Sequence, residues 1–259
     1  MLSRAYQKAE ALLRFAWRIA IIGALAGCSV LEVQDETAGW TADEFLDEGQ
    51  KHMAASDWPS AIATYRKMLG RDPNGQNAEQ AQLDMSNAYL KNHDRALAVS
   101  GADQFIRMHP THPNVDYAFY LKGLALFRPP EGWIDTLSGV NPASNDIAPI
   151  QEAFLAYQEL ITRFPDSRYT PDARRRLIYI VNVLATHDVQ VASYYYGLGA
   201  DVAAVNRARS VLETYPSSSA VEDALGIMMK AYARMGLADL RDDTARVLRL
   251  NFPESRYLN

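Results

Sequence analysis

A short proline-centred stretch comes back five times along this chain, and no other feature limits the possible folds as strongly. Its fullest form is Arg163-Phe164-Pro165-Asp166-Ser167-Arg168-Tyr169. The others are Arg71-Asp72-Pro73-Asn74, Met108-His109-Pro110-Thr111-His112, Thr214-Tyr215-Pro216-Ser217-Ser218 and Asn251-Phe252-Pro253-Glu254-Ser255-Arg256-Tyr257. Each follows an apolar run of helical period and must end it. Proline has no N–H to donate, its ring clashes with the preceding turn, and it biases the residue before it towards extended backbone. The prolines stand 37, 55, 51 and 37 residues apart, and an alanine follows eight residues after each of the first four: Ala81, Ala118, Ala173 and Ala224. A tight turn and then a small residue one to two turns into the next helix is the pattern of helical hairpins that stack closely.

A period near 37 with room for short loops points to tetratricopeptide (TPR) units of about 34 residues. The fold expected is all-α, a TPR-like helical-hairpin solenoid of about five repeats over 41–259: 41–73, 74–110, 111–165, 166–216 and 217–253. Such a core is built unit by unit, and 48% apolar residues supply it. No stretch alternates as a strand would. Thr41-Ala42-Asp43-Glu44 and Ser219-Ala220-Val221-Glu222 both read as capping boxes, and Thr170-Pro171-Asp172 reads as an N-cap with proline in the first helical position. The helix from Pro171 to about Tyr196 is long, with His187-Asp188 as the one place where it could break, and Gly197 and Gly199 close it. Between Arg128 and Asn145, three prolines and two glycines interrupt the third repeat. Trp133 and Ile134 in this insertion either tuck it down or form an exposed contact. Helix resumes near Asp146.

The N-terminus reads as a targeting segment. Arg4, Lys8, Arg14 and Arg18 precede an apolar run, Ile19 to Ala26, too short for a comfortable membrane span. It ends in Leu25-Ala26-Gly27-Cys28, which resembles the lipobox of bacterial lipoproteins: an aliphatic residue, two small ones, and the cysteine that is acylated. Cys28 is the chain's one cysteine. Residues 1–27 are thus expected to be a signal peptide, and 28–40 a tether behind an acylated Cys28. Ser29, rather than aspartate, is what this resemblance associates with export to the outer membrane of a Gram-negative bacterium. Without 1–27 the chain has 22 basic and 30 acidic side chains. That excess of acid argues against wholesale nucleic-acid binding, which depends on clustered Lys and Arg.

Catalytic chemistry is not legible. His109 and His112 lie three apart around prolines in a turn, a weak metal signal. Gly197-Leu198-Gly199 lacks the strand context of a dinucleotide loop. There is no nucleophile elbow, no His-Glu-x-x-His and no P-loop, so neither an enzyme nor a cofactor other than the lipid at Cys28 is expected.

Two blocks carry a resemblance to a family. One is Arg107-Met108-His109-Pro110-Thr111-His112-Pro113-Asn114-Val115-Asp116-Tyr117, continuing to Gly123-Leu124. The other is Val191-Ala192-Ser193-Tyr194-Tyr195 through Gly199-Ala200 to Val205-Asn206-Arg207. With the looser Phe164–Thr170 turn they make the chain resemble the BamD family, TPR lipoproteins of the machinery that assembles β-barrel proteins into the outer membrane. The resemblance implies a scaffold at the periplasmic face of the outer membrane, docking on the POTRA domains of a BamA-type barrel subunit beside other lipoproteins of the complex. It also implies that the first repeats receive unfolded barrel precursors. Arg207 with Asn206 is then the candidate docking site, and Tyr89, Asn114, Tyr117 and Tyr120 are candidates for the precursor groove. Tyrosine offers apolar area plus a hydroxyl, which suits varied peptides, although these rings could equally serve to fill the core. A different periplasmic TPR lipoprotein, acting in cell-envelope or pilus assembly, is the alternative.

Overall fold

The computed structural model describes residues 35–75, 77–127 and 147–258. Cys28, Trp133 and Ile134, and with them the lipidation site and the whole third-repeat insertion, lie outside the described residues. Two units separate, residues 1–40 and 41–259. In the first, Asp35 Oδ1 accepts from the Thr37 backbone N–H and hydroxyl, closing a turn over Asp35–Ala38.

The second unit is all-helical. Among the described residues it comprises α1 (Ala42–Ala54), α2 (Trp58–Arg71), α3 (Ala78–Lys91), α4 (Arg95–Met108), α5 (Val115–Leu126), α6 (Ala148–Arg163), α7 (Thr170–Gly197), α8 (Asp201–Thr214), α9 (Val221–Arg234) and α10 (Ala238–Asn251). Each helix packs on the next, and α1 on α3, α3 on α5 and α7 on α9 pack as well. This is the TPR-like solenoid that the proline register implies. Ala81, Ala118, Ala173 and Ala224 are all fully buried where successive helices meet.

The first and third hairpins close by one device. A tyrosine of the second helix enters a notch left by a glycine of the first. A Cβ at Gly49 of α1 would stand 2.3 Å from the Tyr65 ring of α2, and one at Gly123 of α5 would stand 2.5 Å from the Tyr157 ring of α6. At the end of the array Tyr257 enters the notch at Gly226 of α9 in the same way. Both Tyr65 and Tyr157 are fully buried.

The Thr41–Glu44 capping box forms as expected. The one expected at Ser219–Glu222 does not. Ala220 is the N-cap of α9 and makes no side-chain cap bond. The Ser219 hydroxyl and backbone N–H donate instead to Asn182 Oδ1 of α7 (3.2 and 3.0 Å), as does the Ser218 hydroxyl (2.9 Å). A buried carbonyl with three donors outcompetes a local cap. Thr170 is likewise one residue further in than expected: Tyr169 is the N-cap, and the Thr170 hydroxyl turns back to donate to Phe164 O (2.7 Å). Helix α6 begins at Ala148 rather than near Asp146.

Helix α7 runs unbroken for 28 residues, about 42 Å at 1.5 Å per residue. It passes straight through His187-Asp188 because buried side chains continue on both sides. Ala173, Ile180 and Leu184 belong to one core cluster with α3 to α6, while Ala185, Val189 and Ala192 belong to a second with α8 and α9. A break at His187 would part the two.

Candidate functional site

Three groups of candidate residues emerge, two at turns between consecutive repeats and one at the α7–α8 hairpin. The first is the aromatic set. Tyr117 and Tyr120, on successive turns of α5, both stack on Tyr169 from the Phe-Pro-Asp-Ser-Arg-Tyr turn (5.0 and 4.9 Å between centroids, 28° and 21° between planes). Arg168 lies over the Tyr169 ring and its guanidinium donates to the Tyr169 hydroxyl. The Tyr120 hydroxyl donates to Asp172 Oδ2 (2.7 Å), and the same carboxylate accepts from Arg176 Nε (2.5 Å). Burial, then the Asp172 hydrogen bond, pushes the Tyr120 phenol up to about 12. Burial would raise Asp172, but its bonds from Arg176 and Tyr120 outweigh it and hold the carboxyl below the ordinary range.

These tyrosines are half-buried between α5 and α7. Their stacked faces are therefore committed to joining repeats three and four. Tyr89 is buried, 9% exposed, with its hydroxyl accepting from Arg66 (2.9 Å). Tyr117 and Tyr120 come together; Tyr89 belongs to a separate contact, between α2 and α3. The third ring of the stack, Tyr169, is not among the sequence candidates. Its signal is the recurring turn itself.

The second group lies between two proline turns. Asn114, exposed at the N-cap of α5, donates its backbone N–H to His112 Nδ1 (3.0 Å). His112 Nε2 stands 3.3 Å from Glu79 Oε2, and His109 Nδ1 stands 3.0 Å from Glu79 Oε1. Glu79 is in the first turn of α3, so its carboxylate links the α2–α3 turn to the α4–α5 turn. A cavity of about 270 Å³ opens beside it. No group of three His, Cys, Asp or Glu that could hold a metal ion occurs among the described residues.

The third group is at the far end of α7. Arg207 of α8 reaches back to Asp188 (Nη1–Oδ1 3.2 Å) and stays 45% exposed, while Asp188 is only 16% exposed. Asn206 is exposed beside it. Tyr194, Leu198 and Val202, each 65% exposed, lie at the α7–α8 corner. Arg234 of α9 fixes that corner. It donates to both Asp201 oxygens and to Tyr196 O, and it stacks over the Tyr196 ring (3.9 Å).

Comparison with known proteins bears on the whole chain rather than on one site. The YfiO family, described as outer membrane lipoproteins, matches residues 39–248. Outer membrane protein assembly factor BamD of Neisseria meningitidis serogroup A (strain Z2491) is 36% identical over 239 residues, covering 91% of this chain and 90% of that protein. BamD of Vibrio cholerae O1 is 32% identical, covering 88% and 93%. Among solved structures, a thermophilic TPR protein of Thermus thermophilus is similar at TM-score 0.37 and 12% identity, covering 84% of this chain and 95% of that one. Identity of this extent, spread over nine-tenths of both partners, means that the chain belongs to the BamD (YfiO) family of outer membrane lipoproteins.

Proposed function

We propose that this chain is a non-enzymatic scaffold of the outer-membrane β-barrel assembly machinery. It is anchored by lipid at Cys28 after removal of 1–27, held off the membrane by the 28–40 tether, and placed at the periplasmic face. In this reading it docks on the POTRA region of a BamA-type barrel subunit, beside other lipoproteins of the complex, and its first repeats receive unfolded barrel precursors. The observation that carries the reading is the 36% identity to an outer membrane protein assembly factor over nearly the full length of both chains. The described residues also contain no helix long and apolar enough to cross a membrane, which is compatible with a lipid anchor; a stable anchor needs more than one acyl chain or a second signal.

Arg207 is the docking residue in this reading. Its guanidinium has one side on Asp188 and the rest open to solvent. Asp188 aligns the fork, leaving donors free to meet a partner carboxylate in a bidentate pair, a geometry that lysine does not reproduce. The groove is read to include Asn114 at its third repeat, with the part of Tyr117 and Tyr120 left outside their stack on Tyr169, and the rim of the buried Tyr89 at its second.

The test is affinity purification of the tagged chain from detergent-solubilised membranes. Wild type is expected to bring down the barrel subunit. Arg207→Ala is expected to recover much less of it at unchanged helix content, with Arg207→Lys in between. Cys28→Ala is expected to leave the membrane fraction or remain precursor-sized. Undiminished recovery with Arg207→Ala would place docking elsewhere, and recovery of no barrel subunit by wild type would sink the functional reading.

A further inference from the structure

The cavity between the two proline turns has a chemical character that the functional reading does not use. Its walls include Asn74, Asn77, Glu79, Gln80, His109 and His112. Among the described residues that line it, Glu79 is the one carboxylate, it is half exposed, and no lysine or arginine stands with it.

Two amides of the wall each direct a donor elsewhere. Asn77 donates an amide N–H to Asp43 Oδ1 (2.6 Å), and Gln80 donates to Asp84 Oδ1 (2.8 Å). His112 Nδ1 accepts the Asn114 backbone N–H, so the neutral ring carries its proton on Nε2, the atom that faces Glu79. His109 presents Nδ1 to the other Glu79 oxygen, and its Nε2 is buried without a partner. With its proton on Nδ1 the neutral His109 ring donates to Glu79 and leaves no buried N–H unpaired, the costly arrangement. Two imidazoles thus position one carboxylate, the one acidic side chain of that lining. Asp72, whose carboxylate rests against Gly75 of the same wall, adds to the negative field.

We propose that this cavity is a subsite for a basic side chain, arginine or lysine, of a bound polypeptide. The inference rests on the reading that the first repeats receive extended segments. Asn114, a candidate lining residue of that groove, is the residue that fixes the His112 ring. A carboxylate ligand fits poorly, because Glu79 would repel it. A cation gains a charged acceptor, a stronger partner than a neutral one.

Two measurements on the full-length chain in detergent separate the cavity from the groove. In the first, histidine-labelled protein is titrated with N-acetyl-arginine methylamide and with its uncharged mimic, N-acetyl-citrulline methylamide. The imidazole signals of His109 and His112 are expected to shift saturably with the arginine probe and not with citrulline, and the response is expected to vanish in Glu79→Gln. In the second, an extended peptide with one arginine is compared with its citrulline twin. The arginine form is expected to bind roughly 1.5- to fivefold tighter, the range for a partly exposed pair. Glu79→Gln should erase the difference without weakening the citrulline form. Equal shifts from both probes, or discrimination that survives in Glu79→Gln, overturns the subsite. If the arginine probe saturates but neither peptide binds, the subsite stands and the groove reading falls. The comparison of probes on wild type needs no variant, so a misfolded Glu79→Gln would not remove the test.

Discussion

Gly123→Ala isolates the device that closes the first and third hairpins. In a solvated helix this change is favourable by about 1 kcal/mol, because glycine costs backbone entropy that alanine does not. At Gly123 the new methyl would stand 2.5 Å from two atoms of the Tyr157 ring and 2.9 Å from a third. Ordinary carbon contacts begin near 3.5 Å, so the ring or helix α5 must move by about 1 Å. The ring has nowhere to go: it is fully buried, packed within the cluster of Leu160, Ala173 and Ile180. Overpacking of this kind costs about 1–3 kcal/mol and sometimes more. With a rigid aromatic plane as the obstacle the upper part of that range applies, leaving a net loss of about 1–2 kcal/mol after the helix gain.

Gly70 is the control. It sits in α2 with nothing within 4 Å of where its Cβ would be, so Gly70→Ala keeps only the favourable part. Thermal melts are expected to move in opposite directions. Gly123→Ala should fall by several degrees and Gly70→Ala should rise by a few, at about 2–4 °C per kcal/mol for a unit of this size. Tyr157→Leu provides the second axis of a double-mutant cycle. It is destabilising by itself, but with the ring gone Gly123→Ala should become neutral or favourable. If Gly123→Ala and Gly70→Ala shift the melt alike, or if Tyr157→Leu leaves the effect of Gly123→Ala unchanged, the notch is not what sets the hairpin spacing.

Asn182→Ala removes the acceptor for three donors of the α8–α9 turn; leaving buried donors unpaired costs about 1–3 kcal/mol, read as a lower melting temperature, whereas an unchanged melt would mean that the turn holds itself. Asp84 offers a pH test. Burial raises its carboxyl above the ordinary value, with hydrogen bonds from Gln80 and Gln50 only partly offsetting it. Its folded form therefore holds the proton more tightly than the unfolded chain, and its contribution is most favourable at low pH and is lost as pH rises through the raised folded value. Asp84→Asn is expected to melt higher than wild type at pH 7, with the gap narrowing as pH falls below the unfolded carboxyl's range; a lower melting temperature at pH 7 would reverse the sign.

Local chemistry was legible where one residue decides it and illegible where distant residues compete. The prolines and the alanines eight residues on set the hairpin register, because proline removes a donor and a buried alanine admits a neighbouring helix wherever it occurs. The Thr41–Glu44 box needed only four adjacent residues. The Ser219–Glu222 box has the same pattern and fails because Asn182, 37 residues away, takes the serine. Likewise nothing near Glu79 in sequence signals that His109 and His112 converge on it from the α4–α5 turn. The tyrosines were ambiguous for a physical reason. A ring that stacks between repeats and one that lines a groove have the same spacing, and only the position of Tyr169 shows that Tyr117 and Tyr120 are committed to a stack.

The fifth repeat keeps the turn and changes the helix before it. Phe252-Pro253-Glu254-Ser255-Arg256-Tyr257 copies the turn at Phe164 down to its hydrogen bonds: Ser255 N to Phe252 O and Ser167 N to Phe164 O, with the arginine over the tyrosine in both. By its turn alone the chain is ready for a further repeat. The helix before the turn is not. In α6, Ile150, Phe154 and Ile161 pack into the core that the following helices complete. Counting back from the shared phenylalanine, the matching positions of α10 are Ala238, Asp242 and Arg249. Asp242 and Arg249 are exposed, and Asp242 accepts from Arg241 at 2.7 Å. Leu240, Val247 and Leu250 of the same helix stay exposed, so α10 presents a mixed face where α6 presents an apolar one to its core. The two repeats therefore differ in the helix face and not in the punctuation that makes the repeats visible.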